Sequence, residues 1–245
     1  MAAVGIVVAV AGIGSRVPTW VRLARLDDPD PKVRVAAARA LGSRFNHAAT
    51  DRIRSLITED PDPAVRDAAA YAARKLNDDA AIEPIQKTVL ELADEPVAAD
   101  LLMSLARLSG PRREDVAAFV DQCAASEAPY LAIGAAVARA EWFEARGVDD
   151  LLRLAPLVPE AARPVLFERL ARYVMPVVVL TGGSLDLSEP WVPARSEALR
   201  QWWRQHGSDQ RLADVLELKR HGDRDRQEID RLEHARGRMA GVLGL

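Results

Sequence analysis

From residue 31 onward, apolar side chains recur at every third or fourth position with charged residues between them. Val33, Ala36, Ala37, Ala40 and Leu41 fall at i, i+3, i+4, i+7 and i+8, and Val65, Ala68, Ala69, Ala72 and Leu76 form a second such stripe. That period belongs to amphipathic helices. Each stripe follows the same frame. Asp28-Pro29-Asp30-Pro31-Lys32-Val33-Arg34 returns 32 residues later as Asp60-Pro61-Asp62-Pro63-Ala64-Val65-Arg66, and alanines follow at 36–38 and 68–70. Asp30 and Asp62 are placed as N-caps, accepting from the free amides of the next turn. Pro31 and Pro63 then take the first helical position, where a missing N–H costs nothing. Pro29 and Pro61 stop the preceding helix.

Self-similarity at this interval predicts stacked supersecondary units. The frame is specific over residues 27–76. Beyond it, periodicity alone predicts Ala80–Ala93 with Pro96–Leu108, where Leu101, Leu102, Leu105 and Leu108 form the apolar set. Asp115–Ser126 then pairs with Pro129–Arg146, ending at Gly147, and Asp149–Ala155 with Glu160–Val174. The expectation is an all-α solenoid of five helical-hairpin layers over residues 22–174, each needing its neighbours to bury its apolar face.

Composition agrees. There are 43 alanines, and aromatic residues make up only 5%. Alanine is the strongest helix former, and on a buried face it lets helices approach closely. The chain has 245 residues, one cysteine and a net charge of −3. A single cysteine excludes an internal disulfide framework and a cysteine-rich zinc module. The charge is uneven: residues 1–50 hold seven basic and three acidic side chains, whereas residues 51–160 hold twelve and twenty-one, a balance of −9. An acidic middle repels nucleic acid and anionic lipid. It would attract a basic partner if the charges share a face, or it simply solvates outer helix faces.

The D-P-D-P-x-V-R frame with its alanine run resembles HEAT repeats, in particular the short bacterial type also found in phycobilisome-lyase-like proteins. In that family the turn aspartate and the following arginine often form a ladder between repeats. The resemblance therefore implies structural roles for Asp30, Arg34, Asp62 and Arg66.

The first fourteen residues carry no charge, and up to Val21 the only charge is Arg16. A secretory signal fits poorly, because nothing basic precedes the apolar run. A dinucleotide-binding turn fails, because Gly12 and Gly14 lack the third glycine and a following acidic strand end. Two readings remain for residues 1–21: a membrane anchor, and a hydrophobic helix capping the core. Twenty-one helical residues rise about 31 Å, close to the hydrocarbon thickness. Basic residues follow the run and none precedes it, which would leave the solenoid on the cytoplasmic side. This charge bias tilts the balance to the anchor; the alternative is a soluble cytoplasmic chain.

Residues 175–190, with Gly182-Gly183, read as an irregular loop, a place where binding features concentrate. Residues 191–245 read as a tryptophan-containing helical cap followed by charged helices, Ser208–His221 and Arg224–Ala240. Leu180-Thr181-Gly182 with Trp202-Trp203 is similar to the tail of some bacterial HEAT-repeat proteins, although Leu199 stands where that tail has a further tryptophan. Trp191, Trp202, Trp203 and Arg204 form a candidate protein interface, since Trp and Arg dominate such sites. The alternative places the two adjacent tryptophans on either side of a helix that caps the stack.

No catalytic, cofactor or metal set emerges. His47, His206, His221 and His234 include no pair at ligand spacing, and no H-E-x-x-H, G-x-S-x-G or P-loop occurs. Cys123 lies in an alanine-rich helix, and Asp78-Asp79 and Asp149-Asp150 stand at helix starts, which the macrodipole favours. The expected function is a non-catalytic HEAT-repeat scaffold or accessory subunit that binds another protein, attached to a membrane or membrane complex, without cofactor or small-molecule substrate. Two alternatives come with the resemblance: a lyase-like or chromophore-handling enzyme, and a HEAT-like DNA glycosylase, which the −9 middle disfavours.

Overall fold

The structure is a computed structural model that describes residues 19–110, 114–180, 193–214 and 216–217. Its helices are α1 (Thr19–Ala24), α2 (Pro31–Ser43), α3 (Thr50–Glu59), α4 (Pro63–Leu76), α5 (Ile82–Glu91), α6 (Val97–Ser109), α7 (Glu114–Ala124), α8 (Pro129–Glu141), α9 (Ala145–Leu154), α10 (Arg163–Leu180) and α11 (Pro193–His206). No strand occurs among the described residues. The helices pair as α1/α2, α3/α4, α5/α6, α7/α8 and α9/α10. The second helices stack in a row, α2 on α4, α4 on α6 and α6 on α8. This is the all-α solenoid of five hairpins that the repeat predicts.

Local chemistry sets the helix starts. Asp30 accepts from the Lys32 amide and Asp62 from the Ala64 amide, each ahead of a proline in the first turn. Prolines also stand at the openings of the later second-row helices, at Pro96, Pro129 and Pro164. Three hairpins end on a residue with left-handed backbone, Phe45 (φ 52°), Asn77 (φ 53°) and Phe143 (φ 66°). In each case the next amide reaches back to close the helix: Asn46 to Leu41, Asp78 to Ala73 and Glu144 to Arg139.

The layers close on small side chains. In α4, Val65, Ala68, Ala69, Ala72 and Leu76 are buried as the stripe predicts, together with Ala70 and Ala73. In α2 the stripe is turned. Ala36 is exposed and Val33 and Ala40 are only half-buried, whereas Ala37, Ala38, Leu41 and Gly42 face inward. The inward face is the one that packs on α4, where Gly42 lies against Ala72. The Thr88 hydroxyl, fully buried in α5, donates to the Ile57 carbonyl near the end of α3 at 2.8 Å. The Trp142 indole donates to the Ala106 carbonyl at 3.0 Å, tying the end of α8 to α6.

Two boundaries differ from the expectation. The fourth pair does not run to Gly147: α8 stops at Glu141, the chain turns at Trp142 and Phe143, and Gly147 lies buried inside α9. A Cβ on Gly147 would stand 2.4 Å from the Ala140 nitrogen, so the glycine permits close approach of α9 to α8. Residues 175–180, expected to open a loop, are helical, because α10 continues through Pro176 to Leu180. Residues 181–190 of that loop lie outside the described residues, as does Arg224–Ala240.

The apolar N-terminal run likewise lies outside the described residues up to position 18. Its last three residues open α1, with Trp20 71% exposed. No helix among the described residues is long and apolar enough to cross a membrane.

Candidate functional site

The four repeat-turn residues stand at the starts of α2 and α4, and the aspartate that makes the rung is neither Asp30 nor Asp62. Asp30 and Asp62 cap helices. The ladder itself runs through Asp60: the Arg34 Nε and Nη2 atoms donate to its two carboxylate oxygens at 2.8 Å each. Arg34 also donates from Nη1 to the Asp28 carbonyl at 2.8 Å. Burial pushes the Asp60 carboxyl up, but the Arg34 bonds and the Asp62 amide outweigh it and hold it below the ordinary value. One repeat later, Arg66 donates to the Asp60 carbonyl at 2.6 Å and to Glu91 at 2.9 Å. In α6 the equivalent position is Ala99, so among the described residues this ladder has two rungs. A parallel contact joins Arg54 of α3 to Asp78 through bonds of 3.0 and 3.1 Å.

Beside these rungs, the turns of the first two hairpins frame a groove of about 390 Å³, lined by Asp27, Asp28, Arg34, Arg52, Glu59 and Asp60 among others. Its charged groups largely satisfy one another: Arg52 is held by Asp27, and Arg34 by Asp60.

The tryptophan region divides. Trp203 is 3% exposed and belongs to the core with Leu199, on the face of α11 that packs against α9. A Cβ on Gly207 would stand 2.4 Å from its ring, so the chain turns tightly around the indole. Trp202 is half-buried and stacks on His206 with ring centroids 4.8 Å apart. Arg204 is exposed, and Trp191 lies outside the described residues. The two neighbouring indoles thus sit on different sides of α11, and only Arg204 of the three described positions is presented to solvent.

Sequence reasoning missed a charged face on the second-row helices. Asp67, Tyr71 and Arg74 share one face of α4 at i, i+4 and i+7, and Asp100 and Arg107 take the same positions on α6. Helix α10 comes against this face: Arg169 pairs with Asp100, and Arg172 and Tyr173 meet Glu141 of α8. The repeat of Asp-x6-Arg at 67/74 and 100/107 was the signal available in the sequence.

Two clusters result. In the first, Asp67 binds Arg39 of α2 at 3.3 Å. Burial, and then the negative charge of Asp100, pushes the Asp67 carboxyl up to about 6 despite Arg39. Burial also raises Asp100, against the opposing charge of Arg169. At about 6, the Asp67 carboxyl can hold or release a proton near neutrality.

The second cluster centres on Glu141, whose side chain is fully buried. Arg107 grips it with Nε and Nη2 at 2.6 and 2.8 Å, the Tyr173 hydroxyl donates to it at 2.8 Å, and Arg172 stands at 3.5 Å. Burial would raise Glu141, but the hydrogen bonds and charge of Arg107, with Arg172, leave it below the ordinary value. Arg74 lies in the same field, its guanidinium 4.8 Å above the Tyr71 ring. Burial, and then the positive charge of Arg107, lowers Arg74 to about 10.

Cys123 is buried in α7, and burial pushes its thiol up to about 11, the reverse of what a nucleophile needs.

HEAT repeats, as a family model, match residues 21–106, which run from α1 into α6. No curated protein matches the chain. The matched span covers the two DPDP turns, both rungs of the arginine ladder and the alanine seams of the first three hairpins, and this stretch of the chain is built of HEAT repeats.

Proposed function

We propose that the chain is a non-catalytic scaffold whose second-row helices dock another protein. HEAT repeats commonly mediate protein–protein interaction. The observation that carries the reading is the charged row that opens at Arg39 of α2, whose side chain is 57% exposed, and continues through Asp67 and Asp100 until α10 covers it at Arg169. These side chains are held on helices by inter-repeat ion pairs, which fixes their spacing along the stack. A fixed pattern of charges gives a partner register and selectivity more than raw affinity. The ladder and the alanine seams serve this role by keeping the repeats rigid.

Attachment to a membrane through residues 1–21 forms part of the same proposal, supported by the apolar run and the basic residues beyond it. It places the repeat stack on the cytoplasmic side as an accessory subunit.

Affinity purification of the full chain from membranes of its native cells, beside a variant with Arg39→Glu, tests the scaffold. A stoichiometric partner lost in the variant supports docking on this face. A monomer that fractionates away from membranes and brings down nothing in proportion counts against both parts.

A further inference from the structure

The groove between the turns of the first two hairpins combines an apolar floor with a charged lining. Leu26 and Leu56, 0% and 2% exposed, lie at its bottom, and the exposed Pro29 and Pro61 extend the apolar surface. Four carboxylates share the lining with two guanidiniums. Both guanidiniums are engaged. Arg34 gives Nε and Nη2 to Asp60, and Nη1 to the Asp28 and Pro29 carbonyls. Arg52 gives Nε and Nη2 to Asp27, and Nη1 to the Ser55 hydroxyl.

That leaves the side chains of Asp28 and Glu59. The Asp28 carboxylate accepts from the Asp30 amide at 2.9 Å and, among the described residues, pairs with no cation. Glu59 is exposed, with neither hydrogen bond nor ion pair among the described residues. Two negative charges thus stand over an apolar floor without a positive partner, while the ion pairs beside them hold the surrounding lining in place.

We propose that this groove binds a lysine- or arginine-bearing extended segment of a partner protein. The aliphatic stem of the basic side chain lies on Leu26, Leu56 and the two prolines, and its head is answered by Asp28 and Glu59. Long basic side chains lay their stems on apolar surface and keep their heads among polar groups, which is the pairing this lining offers. The volume of about 390 Å³ is at the low end for small-ligand sites and suits single side chains rather than a whole helix. A metal ion is disfavoured, because among the described residues no three ligating side chains converge on one point. A nucleic-acid backbone or another anion would be repelled by the two carboxylates. A purely apolar segment would cover them without giving them a partner, which is costly. The groove lies at the inter-helix turns, and its occupancy is independent of docking on the charged row.

Fluorescence anisotropy of a labelled pentapeptide, in which two arginines alternate with alanines, titrated with the full chain tests the site. The control peptide carries citrulline, neutral and of nearly the same shape, in place of arginine. The arginine peptide is expected to saturate and to bind about tenfold tighter than the control. Asp28→Asn and Glu59→Gln are each expected to weaken it about threefold to fivefold, as exposed ion pairs do. Asparagine keeps the oxygen that accepts from the Asp30 amide, and Glu59 is exposed, so both variants are expected to melt with the native chain. Should Asp28→Asn melt lower, Glu59→Gln carries the comparison alone. Glu83→Gln, which removes an exposed carboxylate of α5 outside the groove, is expected to leave the affinity unchanged. Equal affinity for the two peptides, or no saturable binding of either, overturns the site. A loss in Glu83→Gln as large as in the groove variants overturns it too, because the attraction would then be the diffuse pull of an acidic surface.

Discussion

Gly42 of α2 and Ala72 of α4 approach so closely that a Cβ on the glycine would lie 2.6 Å from the Ala72 Cα atom. The obstacle is backbone, which cannot swing aside as a flexible side chain could. Gly42→Ala therefore has to push α2 away from α4 along the first seam. The expected loss is about 1–3 kcal/mol of stability, read as a lower midpoint in urea. An unchanged midpoint would mean that the seam is looser than this packing.

The Arg34–Asp60 rung makes a second prediction. Asp60 is 5% exposed, and removing it leaves the guanidinium, among the described residues, with hydrogen bonds to backbone carbonyls alone. Asp60→Ala is expected to cost about 2–4 kcal/mol, because breaking a buried pair strands the remaining charge. The folded-state value of Asp60 is depressed, so its contribution is present above the ordinary carboxylate value and lost as pH falls through the folded one. The gap between native chain and variant should therefore narrow in acid. A gap that stays constant down to pH 2 contradicts the assignment.

Asp67 runs the other way. Its folded value is raised to about 6, so the folded state binds the proton more tightly than the unfolded chain does. The associated stability is full below the ordinary carboxylate value and is lost as pH rises through about 6. Asp67→Asn should match the native chain near pH 4 and exceed it at pH 7.5, by up to about 2 kcal/mol. Urea titrations at the two pH values check this, and a variant less stable than native at pH 7.5 would refute it.

Cys123 is 1% exposed and its thiol is raised to about 11 by burial. In the folded chain it should resist a thiol-specific disulfide reagent at pH 8 and react promptly after denaturation. Rapid modification of the native chain would show that α7 opens readily.

The architecture is legible because its determinants are local. Asp30-Pro31 and Asp62-Pro63 set helix starts whatever surrounds them, and the stripe of α4 reads directly as its buried face. Expectation and structure part where tertiary contact decides. Gly147 looks like a terminator, yet it sits within α9 because α8 passes too close for a side chain. Ala36 fits the apolar period of α2, but α2 meets α4 on the face that carries Gly42. The rung partner is a further case, since Asp60 and Asp62 differ only in which one the preceding repeat approaches. The charged face is harder to read. Asp67 and Arg74 look like ordinary surface residues until α6 sets the same pair alongside and α10 closes on them. Trp202 and Trp203 are chemically identical, and only the packing of α11 on α9 separates the buried indole from the stacked one.

The start of α9 depends on a residue far downstream. Glu144 supplies no side-chain cap there; instead the Asp209 carboxylate accepts from the Ala145 amide at 2.6 Å, across 64 residues of chain. The fifth hairpin is thus completed by a segment C-terminal to it, and a chain cut after α10 would carry an unfinished helix in its midst. The region beyond the repeats acts as a clasp for the stack, so trimming it to isolate a minimal solenoid would loosen the very layer on which α10 is mounted.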